Sequence, residues 1–182
     1  MKQETVKLKN GTFVTGDAFD DKDLLKLKSI FKDWQKISKK VNKLGGRNLN
    51  IPEIISEGLC CIYFNSIRTN NTKNVGSSDC IQRKTCKRIQ IKSTSILKDC
   101  TSFGPKSTWD LLYFFDFAPK GSVTGKVYIY KIPNSFKNLI LNKSKKETFK
   151  KQQSDERRPR FSIKERIIAP QKLKPIKKIS LI

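Results

Sequence analysis

Lysine and arginine number 39 against 16 aspartates and glutamates in 182 residues, which leaves a net charge of +23. That excess is far beyond what solubility requires. Its sign suits a polyanion partner, nucleic acid first and an anionic membrane surface second. The charge is also uneven: residues 143–182 hold 14 Lys and Arg against 4 acids, whereas residues 101–142 hold 5 against 2. The middle of the chain therefore reads as core and the last quarter as a basic face. A run of that kind is often a solvated extension, but Phe149, Phe161, Ile163, Ile167 and Ile168 interleave with its charges and predict that it packs in part.

The length allows one compact domain and little more, and 36% hydrophobic residues suffice to build its core. A single domain over residues 1–182 is expected. It divides into a helical N-terminal region at 18–46, a core at about 50–142 and a basic segment suited to a polyanion at 143–182.

Histidine is absent. Ser-His-Asp chemistry, Cys-His nucleophiles and His-containing zinc sites are thereby excluded. The five cysteines, at 60, 61, 80, 86 and 100, are odd in number and lack the paired short spacing of a zinc site, which predicts reduced thiols in a cytoplasmic protein. No apolar run approaches the roughly 20 residues that span a bilayer, and no signal peptide opens the chain, so no membrane partner is expected.

Along residues 20–44, Leu27, Ile30, Phe31, Trp34, Ile37, Val41 and Leu44 recur at three- and four-residue steps, the stripe of one long helix that Gly45-Gly46 ends. The stripe suits the domain's own core or a subunit interface. A second helix starts at Asn50-Ile51-Pro52-Glu53 and runs to about Phe64, with Asn50 as cap and Glu53 closing a capping box. Glu57 has no such role and lies beside the apolar face of that helix. Residues 65–78 read as a loop rich in Asn, Ser and Thr. Strands follow at 79–82 and 88–92 around a basic turn, then at 111–117 and 127–132. The fold class is α/β or α+β, a central mixed sheet with helices before and after it.

In the 88–92 strand, Ile89 and Ile91 face one way and Gln90 and Lys92 the other. A turn near residues 84–86 brings Asp79 opposite Gln90 or Lys92. An acid, an amide and an amine then share one patch, a grouping suited to phosphodiester hydrolysis. A carboxylate holds Mg²⁺, the Gln90 oxygen is a weaker neighbour, and the Lys92 ammonium can orient the attacking water.

Asp79 followed eleven residues later by Gln90-Ile91-Lys92, with Glu57 on a preceding helix, resembles the PD-(D/E)xK nuclease superfamily of most type II restriction endonucleases. Ile89-Gln90-Ile91-Lys92-Ser93-Thr94-Ser95, Thr101-Ser102-Phe103-Gly104-Pro105-Lys106-Ser107-Thr108-Trp109-Asp110 and Arg157-Arg158-Pro159-Arg160-Phe161-Ser162 are similar to stretches of a small Bacillus-type family that cuts GC-N-GC sites. That closer resemblance spans about residues 50–178.

The resemblance implies a restriction-endonuclease-like fold and Mg²⁺-dependent, sequence-specific cleavage of double-stranded DNA, leaving 5′-phosphate and 3′-hydroxyl ends. It implies Asp79 as principal metal ligand, Gln90 at the second acid's place, the Ile91 carbonyl completing the metal's protein contacts, Lys92 at the attacking water and Glu57 as the helix carboxylate. Ser78 stands where the pattern has Pro, and Gln90 removes one negative charge from the site. The resemblance also implies a homodimer matched to a palindromic target and, as genetic partner, a DNA cytosine methyltransferase protecting the host.

Phosphate contacts position such a protein, whereas specificity needs side chains at base edges. Guanine is matched best by arginine, which singles out Arg157, Arg158 and Arg160 around Pro159. Ser107-Thr108-Trp109-Asp110 reads as a short helix start whose N–H groups, beside Lys106, could hold a phosphate, or as a turn with Trp109 in the core. Two other functions fit the composition: a non-catalytic ribosomal or chromosomal nucleic-acid-binding protein, and a repair nuclease of the same superfamily preferring damaged or branched DNA.

Overall fold

The computed structural model describes residues 2–69 and 76–182. Its centre is an eight-stranded mixed sheet in the order β1-β2-β3-β4-β5-β7-β8-β12. A hairpin of β1 (Lys2–Lys7) and β2 (Phe13–Ala18) opens the chain, followed by helices α1 (Asp21–Lys43) and α2 (Glu53–Phe64). β3 (Ser66–Arg68), β4 (Cys80–Gln82) and β5 (Arg88–Thr94) come next, then the short β6 (Thr101–Ser102), β7 (Leu111–Asp116) and β8 (Lys126–Ile132). β9 (Ile140–Asn142) and β10 (Glu147–Thr148) form a small hairpin that leads into α3 (Phe149–Ser154). β11 (Arg160–Phe161) pairs with β6, and β12 (Lys177–Ser180) with the outer edge of β8. Within the main sheet β5 and β7 run parallel and the other neighbours antiparallel. This architecture is restriction-endonuclease-like.

Both faces of the sheet are covered, which is why β7, Leu-Leu-Tyr-Phe-Phe-Asp, is buried along its whole length. Alternation sends Leu111, Tyr113 and Phe115 toward α1 and α2, where Leu27, Phe31, Ile55 and Leu59 fill the space. Leu112 and Phe114 face the opposite way, into Phe103, Trp109, Phe136, Phe149, Phe161, Ile163 and Ile167. The interleaved apolar residues of the basic C-terminal quarter are thus one wall of the second core, with Ile168 packed against it. Gly58 allows α2 to approach α1, since a Cβ there would lie 2.7 Å from Leu27 Cδ1.

Helix α1 begins as its sequence dictates: Asp20 accepts from the Lys22 and Asp23 N–H groups, and Asp23 reaches back to the Asp20 N–H. Gly45, at φ +75°, closes it. The stripe divides unexpectedly. Leu27, Phe31 and Trp34 are buried, but Ile30, Ile37 and Leu44 are exposed, Leu44 to 90%.

Several local expectations fail for definable reasons. Asn50 does not cap α2; Pro52 occupies the N-cap with no side-chain bond, and the Asn50 carbonyl accepts from the Trp34 indole instead. Residues 65–78 are not all loop, because β3 inserts between β2 and β4, while residues 70–75 lie outside the described residues. Helices do not simply bracket the sheet: β1 and β2 precede α1, and the C-terminal segment mixes α3 and a π-helical turn (Lys164–Ile168) with β10, β11 and β12. No helix forms at residues 107–110, where Asp110 is drawn to Arg88, accepting from its N–H at 2.8 Å. All five cysteines are free thiols. Among the described residues no helix is long and apolar enough to cross a membrane.

Candidate active site

The β4–β5 hairpin creates the central arrangement. Asp79, immediately before β4, donates its N–H to the Ile89 carbonyl at 2.9 Å, which fixes it beside the middle of β5. Its Oδ2 accepts the Gln90 side-chain amide at 2.5 Å and the Ile91 N–H at 2.5 Å. Burial pushes the Asp79 carboxyl up to about 7; the Ile91 hydrogen bond opposes this, the Glu57 charge adds to it, and Lys92 opposes it. Lys92 itself lies over the Phe103 ring at 5.4 Å, and burial lowers its pKa while Asp79 and Glu53 raise it. The expected acid, amide and amine therefore do converge.

Glu57 projects from α2 toward the same region and is buried. Its partner is the Arg68 guanidinium, whose Nε donates to Glu57 Oε2 and whose other side lies 3.8 Å from Asp17. Burial raises the Glu57 pKa, and Arg68 counters it. Arg68 escaped the sequence reading because it falls in the segment taken as loop.

These groups line one end of a cleft of about 860 Å³ that Asp79, Gln90, Ile91, Lys92, Glu57 and Glu53 share. Its far wall is β6, where Ser102 pairs with Arg160 of β11. Arg158 is exposed near enough to Lys92 for its charge to be felt there. Arg157 is engaged by Glu147 at 3.0 Å and Asp155 at 3.2 Å. Lys106 and Ser107 lie outside the cleft lining: Lys106 is 3.5 Å from Glu156, and the Ser107 N–H closes a turn on the Gly104 carbonyl. With no helix there, the expected phosphate-binding helix end is absent.

Asp99 was not foreseen. It is buried in the cleft wall and accepts from Ser162 Oγ at 2.6 Å, the Ile163 N–H at 2.8 Å and Thr101 Oγ1 at 3.0 Å. It pins the strand carrying Arg160 to the catalytic side of the molecule. Nothing in its sequence surroundings marks it.

The donor set suits a hard cation. Among the described residues no group of three or more His, Cys, Asp and Glu side chains could hold a metal. Mg²⁺ does not require one, since it keeps several waters and takes one or two carboxylates. Burial raises the Asp79 carboxyl to about 7, and a cation bound there would favour its ionised form.

Comparison with known proteins bears on this geometry. The sequence model of the Bsp6I restriction endonuclease family matches residues 19–170, from the N-terminal side of α1 to beyond β11. The chain belongs to that family. It is by that membership a site-specific deoxyribonuclease. The chain is also 31% identical over 171 residues to the type II restriction enzyme Bsp6I of Bacillus sp. strain RFL6, covering 87% of this chain and 93% of that one. No solved structure matches.

Proposed function

We propose that this restriction endonuclease is Mg²⁺-dependent and hydrolyses both strands of DNA at GC-N-GC sites, leaving 5′-phosphate and 3′-hydroxyl ends. The observation that carries the reading is the meeting of Asp79, Gln90, Ile91 and Lys92 in one cleft, with Arg160 paired to the cleft residue Ser102 and the Arg158 charge acting on Lys92.

Asp79 and the Ile91 carbonyl would hold the ion, and the Gln90 side-chain oxygen would join them once its amide turns, since its N–H₂ now faces both acceptors. When bound, it polarises the phosphoryl oxygen and lowers the pKa of a water. Asp79 is kept in place by the Ile91 N–H, so its free oxygen is oriented before any ligand arrives. Lys92, held above Phe103, carries a positive charge toward the scissile phosphate and orients the attacking water. Water oxygen bonds to phosphorus, the bond to the 3′ oxygen breaks, and the leaving oxygen takes up a proton. Glu57, as helix carboxylate, borders the same cleft and is held by Arg68, which balances its charge.

Arg158 and Arg160 are the first choices for guanine contacts; Arg157 is held by Glu147 and Asp155, which leaves it and Lys106 to the phosphates. A homodimer suits a palindromic target, and the uncovered Ile30 and Ile37 of α1 with Leu44 at its C-cap, spaced seven residues apart, support that helix as the seam. A cytoplasmic location and a protecting cytosine methyltransferase follow from the same reading.

The test is incubation of a plasmid bearing mapped GC-N-GC sites with Mg²⁺ and with EDTA. Discrete fragments that vanish in EDTA and carry ligatable 5′-phosphates support the reading. Cutting at other sequences, or in EDTA, refutes it.

A further inference from the structure

We propose that Glu53 supplies the second negative charge of the metal site, the charge that Gln90 withholds. The inference rests on the metal-dependent reading above and names a residue it lacks.

A Mg²⁺ site with one carboxylate is weakly charged, and the two obvious sources of a second charge are occupied. Gln90 is neutral, and its amide points its N–H₂ at Asp79. Glu57 is 8% exposed and committed to Arg68, so its charge is already neutralised by a guanidinium.

Glu53 is in a different position. It is the first residue of α2, exposed, and takes no part in capping, because the helix has no side-chain cap bond. It stands four residues before Glu57 and so shares its helical face one turn nearer the N-terminus. It borders the cleft together with Asp79, Ile91 and Lys92. Its negative charge reaches both key groups and raises the pKa of each, repelling the Asp79 carboxylate and favouring the Lys92 ammonium. An exposed, unengaged carboxylate at the mouth of the site can turn toward a hard cation without breaking any bond, which Glu57 cannot.

The assignment is tested by Mn²⁺ binding to the full-length protein, read from the loss of the free aqua-ion signal in electron paramagnetic resonance, with no turnover involved. Glu53→Gln should weaken Mn²⁺ binding by about tenfold, and adding Gln90→Glu to that variant should restore it. Thermal unfolding of Glu53→Gln close to the parent's confirms that the fold is intact. Unchanged Mn²⁺ affinity in Glu53→Gln, alongside loss in Asp79→Asn, overturns the Glu53 assignment and leaves the nuclease reading standing. A Glu53→Gln loss that Gln90→Glu fails to rescue marks Glu53 as a helix-end residue only and also overturns it. Equal failure of the parent and Asp79→Asn to bind Mn²⁺ overturns the metal-dependent reading itself.

Discussion

The Gln90 amide donates to Asp79 Oδ2 across 2.5 Å, so the position expected to hold a second acid instead offers a hydrogen bond to the first. In the absence of a cation this satisfies a buried carboxylate that an acidic neighbour would repel. Gln90→Glu should therefore unfold in EDTA at a midpoint lower by about 2–4 °C, the equivalent of roughly 1 kcal/mol. Saturating Mg²⁺ should remove or reverse that difference. Thermal unfolding of both proteins with and without Mg²⁺ checks this, and a variant less stable by the same margin in both conditions contradicts it.

Asp79 also sets a pH dependence. Its carboxyl is raised from the usual 3.8 to about 7 chiefly by burial, so the folded protein binds this proton more tightly than the unfolded chain does. The stability it contributes is complete below the unfolded value and is lost as pH rises through about 7. Without divalent metal, stability should fall between roughly pH 4 and pH 7, and Asp79→Asn should flatten that slope. Cleavage should rise over the upper part of the same range and shift to lower pH as Mg²⁺ concentration increases. A rate profile insensitive to Mg²⁺ concentration contradicts the assignment.

Lys92 lines the cleft and lies over Phe103, whereas Arg158 and Arg160 are exposed on the basic C-terminal segment. Chemistry and binding should consequently separate. Lys92→Ala should reduce cleavage by about 100-fold or more while salt-dependent DNA binding stays near the parent's. Arg158→Ala and Arg160→Ala should weaken binding first. Filter-binding and single-turnover cleavage on one duplex distinguish the two patterns.

Asp99 joins the cleft wall to the basic C-terminal segment through Ser162, Ile163 and Thr101. Asp99→Ala leaves the Ile163 N–H without its acceptor, a loss of about 1–3 kcal/mol for the buried group. Because Arg160 lies two residues before Ser162, DNA affinity should fall together with stability. Unchanged thermal unfolding in Asp99→Ala argues against this anchoring.

What the sequence made legible follows its periodicities. The β4–β5 hairpin was readable because Ile89 and Ile91 alternate with Gln90 and Lys92 and a basic turn precedes them, and the antiparallel register set by that turn brings Asp79 against them. The apolar residues among the C-terminal charges were readable as packing residues, and Phe149, Ile163 and Ile167 are fully buried. The β1–β2 hairpin and β3 were not: β3 has three residues, too few for any period, and its pairing with β2 and β4 is decided by distant chain. Arg68, inside β3, was lost with it, and so was the reason Glu57 can be buried. Glu53 was misread because a capping box suits its spacing from Asn50, but Pro52 is the N-cap, so Glu53 stands at the first helical position rather than the third and the box never forms.

The Glu57–Arg68 pair yields the largest expected loss of stability. Glu57 is buried in α2, and Arg68 in β3 gives it a cation while lying 3.8 Å from Asp17. Removing the guanidinium strands a buried carboxylate, an effect of about 3–5 kcal/mol, or on the order of 10 °C in the unfolding midpoint. Burial already raises the Glu57 pKa against the pull of Arg68, so in Arg68→Leu it should rise further. The stability deficit of Arg68→Leu should then be greatest at neutral and alkaline pH and shrink as acid protonates Glu57. Adding Glu57→Gln to Arg68→Leu should recover part of the stability at pH 8 and little at pH 5. Chemical unfolding of the three variants at the two pH values gives the answer, and a deficit of equal size at both refutes the pairing as the cause.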